Sequence, residues 1–158
     1  MKIGVYDIIN NPLPQLYTLK EIKIIQNKLE NDEDIVQMLN SHLQMDKLNS
    51  EHIYALSLTY NLIPRGIIQV SIGKCDGCEV DLRSLAIGLL LTGAEQFMCF
   101  HNHPGGCKNI SDADINLTNK YIELGNIIGI HFLKHIMITQ NYFTYCINKK
   151  ENDYIPFS

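Results

Sequence analysis

Strand-like and helix-like segments alternate along most of this 158-residue chain, which predicts an α/β sandwich with helices packed on a mixed sheet. Three observations carry that expectation. The run Glu95 to His101 (EQFMCFH) is almost continuously apolar, as a central strand buried on both faces should be. Asp81 to Leu91 and Ser111 to about Asn126 read as helices, each opened by a residue suited to an N-cap. Strand pairs stand on either side: Ile53–Tyr60 with Gly66–Ile72 across a turn at 61–66, and Gly129–Ile138 with Tyr142–Ile147 across Gln140–Asn141.

The first 49 residues read differently, as a helical extension. Residues 1–15, rich in Asn and Pro, give an irregular lead. Thr18-Leu19-Lys20-Glu21 has the form of a capping box, and Ile22, Ile25 and Leu29 follow at helical spacing. Asn31-Asp32 interrupts that helix and caps a second, whose stripe is Ile35, Met38, Leu39 and Leu43. The main domain then runs over 50–148. Gly93 closes its first helix, and a polar, loose tail occupies 149–158. No internal repeat or low-complexity tract interrupts the chain.

Composition narrows the function. Hydrophobic content of 46% and charged content of 19% are ordinary for a globular domain. A net charge of -4 and a pI near 5.8 supply no general basic footprint, which counts against a dedicated nucleic-acid binder, though not against a local patch. No apolar run approaches the roughly 18 residues of a membrane span, and no secretory leader is recognisable, so a cytoplasmic address is expected. The cysteines number five, an odd count that suits no disulfide framework. Cys75 and Cys78 form a single Cys-x-x-Cys, whereas a zinc ribbon needs two such pairs. Reduced loop thiols are the plain reading. A redox pair, or a half-site completed by another subunit, is the sharper one, and the oligomeric state stays open.

The chemistry concentrates in Phe100 to Asp114 (FHNHPGGCKNISDAD). His101 and His103 are two apart at the end of the buried strand, so both rings can face one point. Pro104-Gly105-Gly106 then turns the chain away. The following helix returns Asp114 toward the imidazoles from its first turn. Two imidazoles and a carboxylate with one position left over suit catalytic zinc and a water molecule. Each residue also has a plainer use. Loop histidines are often solvated, and Ser111 with Asp114 is a capping pattern by itself. The spacing of all of them together favours the metal.

These residues resemble the JAMM motif of the MPN+ (JAB) metalloproteases: an upstream Glu, then His-x-His-Pro, seven residues, and Ser-x-x-Asp. More narrowly, EHIY at 51–54, GIIQVSIGKC, CFHNHPGG and SDADINLTNKYIELGNIIGIHFLKHIMIT resemble the RadC-like branch over about residues 50–148. The resemblance implies a three-layer α-β-α sandwich around a mixed, mostly antiparallel sheet, like that of cytidine deaminases. It implies Zn2+ held by His101, His103 and Asp114. Ser111 would stabilise the oxyanion, and Glu51 would take a proton from the metal's water. Glu79 and Glu95 are the competing acids. The implied reaction is hydrolysis of an amide or isopeptide bond in a peptide or protein.

Three departures qualify this. Lys134 stands where RadC-like chains carry the acid of Leu-Asp-His, and the retained His135 reads as packed or solvated rather than supporting the site. Cys107 falls in the motif loop, as an exposed thiol or, less simply, as an alternative ligand or redox-sensitive group. The helix-hairpin-helix of longer relatives, with its DNA contacts, has no match in the first 50 residues. The alternatives to a hydrolase are a silent MPN-fold scaffold and a DNA-repair-associated nucleic-acid-processing protein. All five motif residues being present favours the hydrolase.

Overall fold

In the computed structural model, which describes residues 1–24, 29, 31–73, 80–146 and 155–156, the chain builds one eight-stranded sheet. Its elements in chain order are β1 (Lys2–Asn10), β2 (Pro14–Lys23), α1 (Asp32–Leu43), β3 (His52–Leu58), β4 (Pro64–Ile72), α2 (Leu82–Leu91), β5 (Gln96–Asn102), α3 (Asp112–Ile128), β6 (His131–Thr139), β7 (Tyr142–Tyr145) and β8 (Ile155–Pro156). The spatial order is β2-β1-β4-β3-β5-β6-β7-β8. Among the described residues only β1 with β4 and β5 with β6 run parallel, so the sheet is mixed and mostly antiparallel. The parallel β5–β6 pair needs a crossover, which α3 supplies.

Strand alternation divides the core into two layers. Tyr54, Leu56, Met98, Phe100, Ile136 and Ile138 face α1, which buries Ile35, Val36, Leu39 and Leu43 against them. Ala55, Phe97 and Cys99 face the other way, onto Leu85 and Leu89 of α2 and Tyr121 of α3. Every residue of β5 is buried, as its apolar run requires. The result is the expected three-layer α-β-α sandwich.

Helix boundaries follow the caps read from sequence. Asn31 accepts from the Asp34 N–H at 2.8 Å, with Asp32, Glu33 and Asp34 in the positive first turn of α1. Asp81 accepts from the N–H groups of Arg83 and Ser84. The second helix of the main domain runs to Ile128, two residues beyond expectation, and ends at Gly129 with φ 71.

The first 24 residues depart from expectation. They form β1 and β2, an antiparallel hairpin on the same sheet, where an irregular lead and a helix from Thr18 were expected. Ile3 and Val5 alternate inward from β1, and Ile22 and Ile24 join the layer under α1. A capping box is worth about 1 kcal/mol, less than the full backbone ladder that β1 offers β2. Tyr17 and Thr18 also suit a strand. At the other end, Ile155–Pro156 pairs with β7, while the rest of the expected tail lies outside the described residues, as do Cys75, Cys78 and Glu79. No helix among the described residues is long and apolar enough to cross a membrane.

The close seating of α3 on the sheet depends on Gly125. A Cβ there would lie 2.6 Å from the carbonyl oxygen of Ile130 and 3.3 Å from the Phe97 ring. The backbone oxygen cannot retreat without shifting the start of β6. Gly125→Ala should therefore cost about 1–3 kcal/mol, seen as a drop of several degrees in Tm. An unchanged Tm would show that this contact is slack.

Candidate metal centre

The centre lies where the carboxyl end of β5 meets the amino end of α3. Phe97 and Cys99 face α2 and α3, and His101 continues that row, with its side chain only 1% exposed. His103 follows on the same side as the chain leaves the strand. Pro104–Gly106 then makes one 3-10 turn, with Gly105 and Gly106 at φ 74 and 77, a region open to glycine at little cost.

Asp114 arrives from the first turn of α3 through its cap. Ser111 donates both its backbone N–H and its hydroxyl to Asp114 Oδ2, each at 2.7 Å, and its Oγ accepts from the Asp114 N–H at 3.1 Å. The carboxylate is thereby anchored and turned toward the histidines. His101 Nε2 lies 3.3 Å from Oδ1, His103 Nε2 lies 3.6 Å from Oδ2, and the two Nε2 atoms are 3.1 Å apart. Zinc bonds of about 2.0–2.1 Å set tetrahedral donors roughly 3.3 Å apart, so the triangle these three residues form is near the size of a zinc site, its Asp114 corner shared between Oδ1 toward His101 and Oδ2 toward His103. Its chemistry fits too. His103 Nδ1 lies 3.2 Å from the Cys107 carbonyl, which only accepts, so that nitrogen carries hydrogen and Nε2 is left to serve as a donor atom.

Glu51 joins from the residue just before β3. The register Ile53↔His101, continued by two residues, sets Glu51 opposite His103. One ligand atom each from Glu51, His101, His103 and Asp114 falls within 4.8 Å of the others. Asn102, the residue between the two histidines, points to the opposite face and brackets Glu51. Its amide donates to the Ser50 carbonyl at 3.1 Å and accepts from the His52 N–H at 2.7 Å. Asn102 is 1% exposed, so water does not compete for these bonds.

Burial dominates the electrostatics. It lowers His101 from 6.5 to about 4, against the Asp114 charge, so the His101–Asp114 contact is a polar contact of a neutral ring rather than an ion pair. Burial opposes ionisation of Asp114 as well, yet His103, His101 and Ser111 together hold its carboxyl well below the usual carboxylate range. For His103, burial is outweighed by the Asp114 hydrogen bond and charge, the Cys107 carbonyl and the Glu51 charge, and its pKa rises.

His135 corrects the sequence reading. It is not merely packed or solvated: its Nε2 meets His101 Nδ1 at 2.8 Å, and its Nδ1 meets Thr118 Oγ1 at 2.8 Å. Thr118 and Asn102 were not legible as site residues, although each has a spacing signal. Thr118 lies one turn beyond Asp114, and Asn102 takes the alternate face of β5. Glu95 is removed from the competition: it binds the Tyr60 N–H and Arg65 at the far end of β5. Cys107 is an exposed thiol whose carbonyl, not its sulfur, meets the site. Lys134 lies on the α1 face, its Nζ 2.8 Å from both carboxylate oxygens of Asp32, so its reversed charge is answered within the fold.

The family model of the RadC-like JAB domain matches residues 29–152, taking in α1 as well as the later elements. A UPF0758 protein of Alkaliphilus oremlandii is 34% identical over 116 residues, 73% of this chain and 49% of that protein. Another, from Listeria monocytogenes serotype 4b, is 37% identical over 124 residues, 77% of this chain and 52% of that protein. A third, from Clostridium acetobutylicum, is 34% identical over 95 residues, 60% of this chain and 42% of that protein. The chain spans about half the length of the curated relatives it matches.

The buried rings predict an acid sensitivity. Folded His101 refuses a proton down to about 4, whereas unfolded histidine takes one near 6.5. The unfolded chain therefore binds more protons between those values, and stability falls as pH drops through them, by about 3 kcal/mol from His101 alone. His135, held well below its ordinary value by burial, acts in the same direction. His103 opposes them: its raised pKa stabilises the fold below 6.5, and that contribution is lost as pH rises through the folded value. With two rings against one, urea unfolding of the chelator-treated chain should show a lower midpoint at pH 5 than at pH 7. An equal or higher midpoint at pH 5 would contradict this balance.

Proposed function

This chain belongs to the RadC-like JAB domain family, and from that premise we propose that it is a zinc-dependent hydrolase of the JAMM type, acting on an amide or isopeptide bond in a peptide or protein. The observation that carries the reading is the convergence of His101, His103 and Asp114, the rings 3.1 Å apart and each within 3.6 Å of an Asp114 oxygen, with the Glu51 carboxylate beside them. His101, His103 and Asp114 would hold the ion. When bound, zinc supplies a Lewis acid that acidifies water and polarises a carbonyl.

The chain's own groups do the rest. Glu51 takes the proton of the attacking water and passes it to the amine nitrogen as the C–N bond breaks. The Ser111 hydroxyl turns from Asp114 Oδ2 toward the substrate carbonyl oxygen as that oxygen gains charge. Asn102 holds the backbone on both sides of Glu51, so the carboxylate meets the water in one orientation.

Metal analysis of untagged protein tests this directly. The wild type should carry stoichiometric zinc, and His101→Ala and Asp114→Ala should not. Sub-stoichiometric zinc in the wild type, without chelators, would remove the metalloenzyme reading and leave a scaffold role. In a screen of peptide and isopeptide substrates, Glu51→Gln should keep zinc and lose about 10²–10⁴-fold in kcat. Turnover surviving that change would free Glu51 of the base role. Asn102→Ala should also keep zinc and lose roughly 10²-fold through misplacement of Glu51. Wild-type kcat in that variant would refute the bracket.

A further inference from the structure

We infer that His135 and Thr118 form a positioning relay that fixes the tautomer of His101, with hydrogen on Nδ1 and the Nε2 lone pair turned to the donor triangle. The relay is a property of this chain's buried hydrogen bonds and goes beyond the hydrolase reading. Only its effect on zinc affinity rests on that reading.

The direction of each bond follows from counting protons. Thr118 Oγ1 meets three partners: the Asp114 carbonyl at 2.8 Å, the Cys146 carbonyl at 3.1 Å and His135 Nδ1 at 2.8 Å. A hydroxyl has one proton, and a carbonyl oxygen has none to give. The Thr118 proton therefore goes to the carbonyls, and the third contact runs the other way, from His135 Nδ1–H to the Thr118 lone pair. A neutral imidazole carries one N–H, so His135 Nε2 is bare. It lies 2.8 Å from His101 Nδ1, which must then carry hydrogen. That leaves His101 Nε2 as the lone-pair atom, at the corner of the triangle where a ligand is needed.

Burial makes the assignment firm. His101 is 1%, His135 2% and Thr118 8% exposed, so water does not take the place of a missing partner. Reversing the relay would withdraw the Thr118 proton from both carbonyls and turn an N–H into the metal position. Cys146 closes the group: its sulfur and the two rings offer ligand atoms within 4.8 Å of one another. Burial and the nearby Asp114 charge keep that thiol protonated, and both His135 nitrogens are already bonded, so this wall holds the relay rather than a second ion.

The test uses the full chain and reads both the ring and the metal. Long-range 1H–15N spectra of the metal-free protein, taken at a pH where the buried rings are neutral, should show His101 as the Nδ1–H tautomer. His135→Phe, which keeps a ring but removes the acceptor, should shift His101 toward Nε2–H. It should weaken zinc binding, measured by competition with a chromophoric chelator, by about 10–100-fold. His135→Gln, whose amide oxygen can accept from His101, should restore most of that affinity. Thr118→Val should weaken it by roughly tenfold, and it decides the matter if His135→Phe does not fold. An Nε2–H tautomer in the wild type overturns the relay, as does unchanged zinc affinity in both His135→Phe and Thr118→Val. If the wild type binds no zinc, the hydrolase reading fails, and the His101 tautomer in wild type and variants still decides the relay.

Discussion

Two imidazoles and a carboxylate converge at the end of β5, the rings 3.1 Å apart and each within 3.6 Å of one or other Asp114 oxygen, and most of the surrounding structure keeps them there. Left free, the two imidazoles and the carboxylate would turn their lone pairs to water. Each is prevented by a bond on its far side. The Cys107 carbonyl takes the Nδ1–H of His103, His135 engages His101 Nδ1, and Ser111 spends two donors on Asp114 Oδ2. The cost of crowding acceptors in a buried place is offset only by a cation. A divalent ion would satisfy all three donors at once.

The alternation of β5 lets one strand serve both halves of the proposed chemistry. Its odd residues, continued to His103 just past its end, carry the histidines toward α3, and its even residues carry Asn102 toward the segment that holds Glu51. Register is therefore a functional quantity here. A slip of one residue between β3 and β5 would move Glu51 to the opposite face and would leave Asn102 without its two partners. The buried apolar run of β5 guards against such a slip, because every register shift exposes a different set of core side chains.

The part of this design that is local in sequence was legible there. His-x-His, the Pro-Gly-Gly turn and the Ser111–Asp114 cap lie within fourteen residues, and their chemistry follows from spacing alone. The elements from β3 to β7 also fell close to their expected bounds, because apolar runs and caps mark them. What escaped is non-local. His135 reaches His101 across 34 residues, Asn102 reaches Ser50 across 52, and Lys134 reaches Asp32 across 102. The hairpin β1–β2 escaped for the same reason. Its place on the sheet depends on β4, some sixty residues on, whereas the Thr18–Glu21 signal was local and weak.

Asp114 shows why the cap and the ligand are better as one residue than as two. Its Oδ2 is committed to Ser111, which seats the first turn of α3 and leaves Oδ1 beside His101. His103 and His101, with these Ser111 bonds, hold the carboxyl ionised far into acid against its burial. A carboxylate so held is a permanent anion and a poor proton carrier. In the proposed reaction the proton must therefore travel on another acid, and Glu51 stands within reach. Two carboxylates a few ångströms apart thus take separate duties because their surroundings differ, not their chemistry. The helix start that seats Asp114 thus shares, with the two histidines, in dividing the labour.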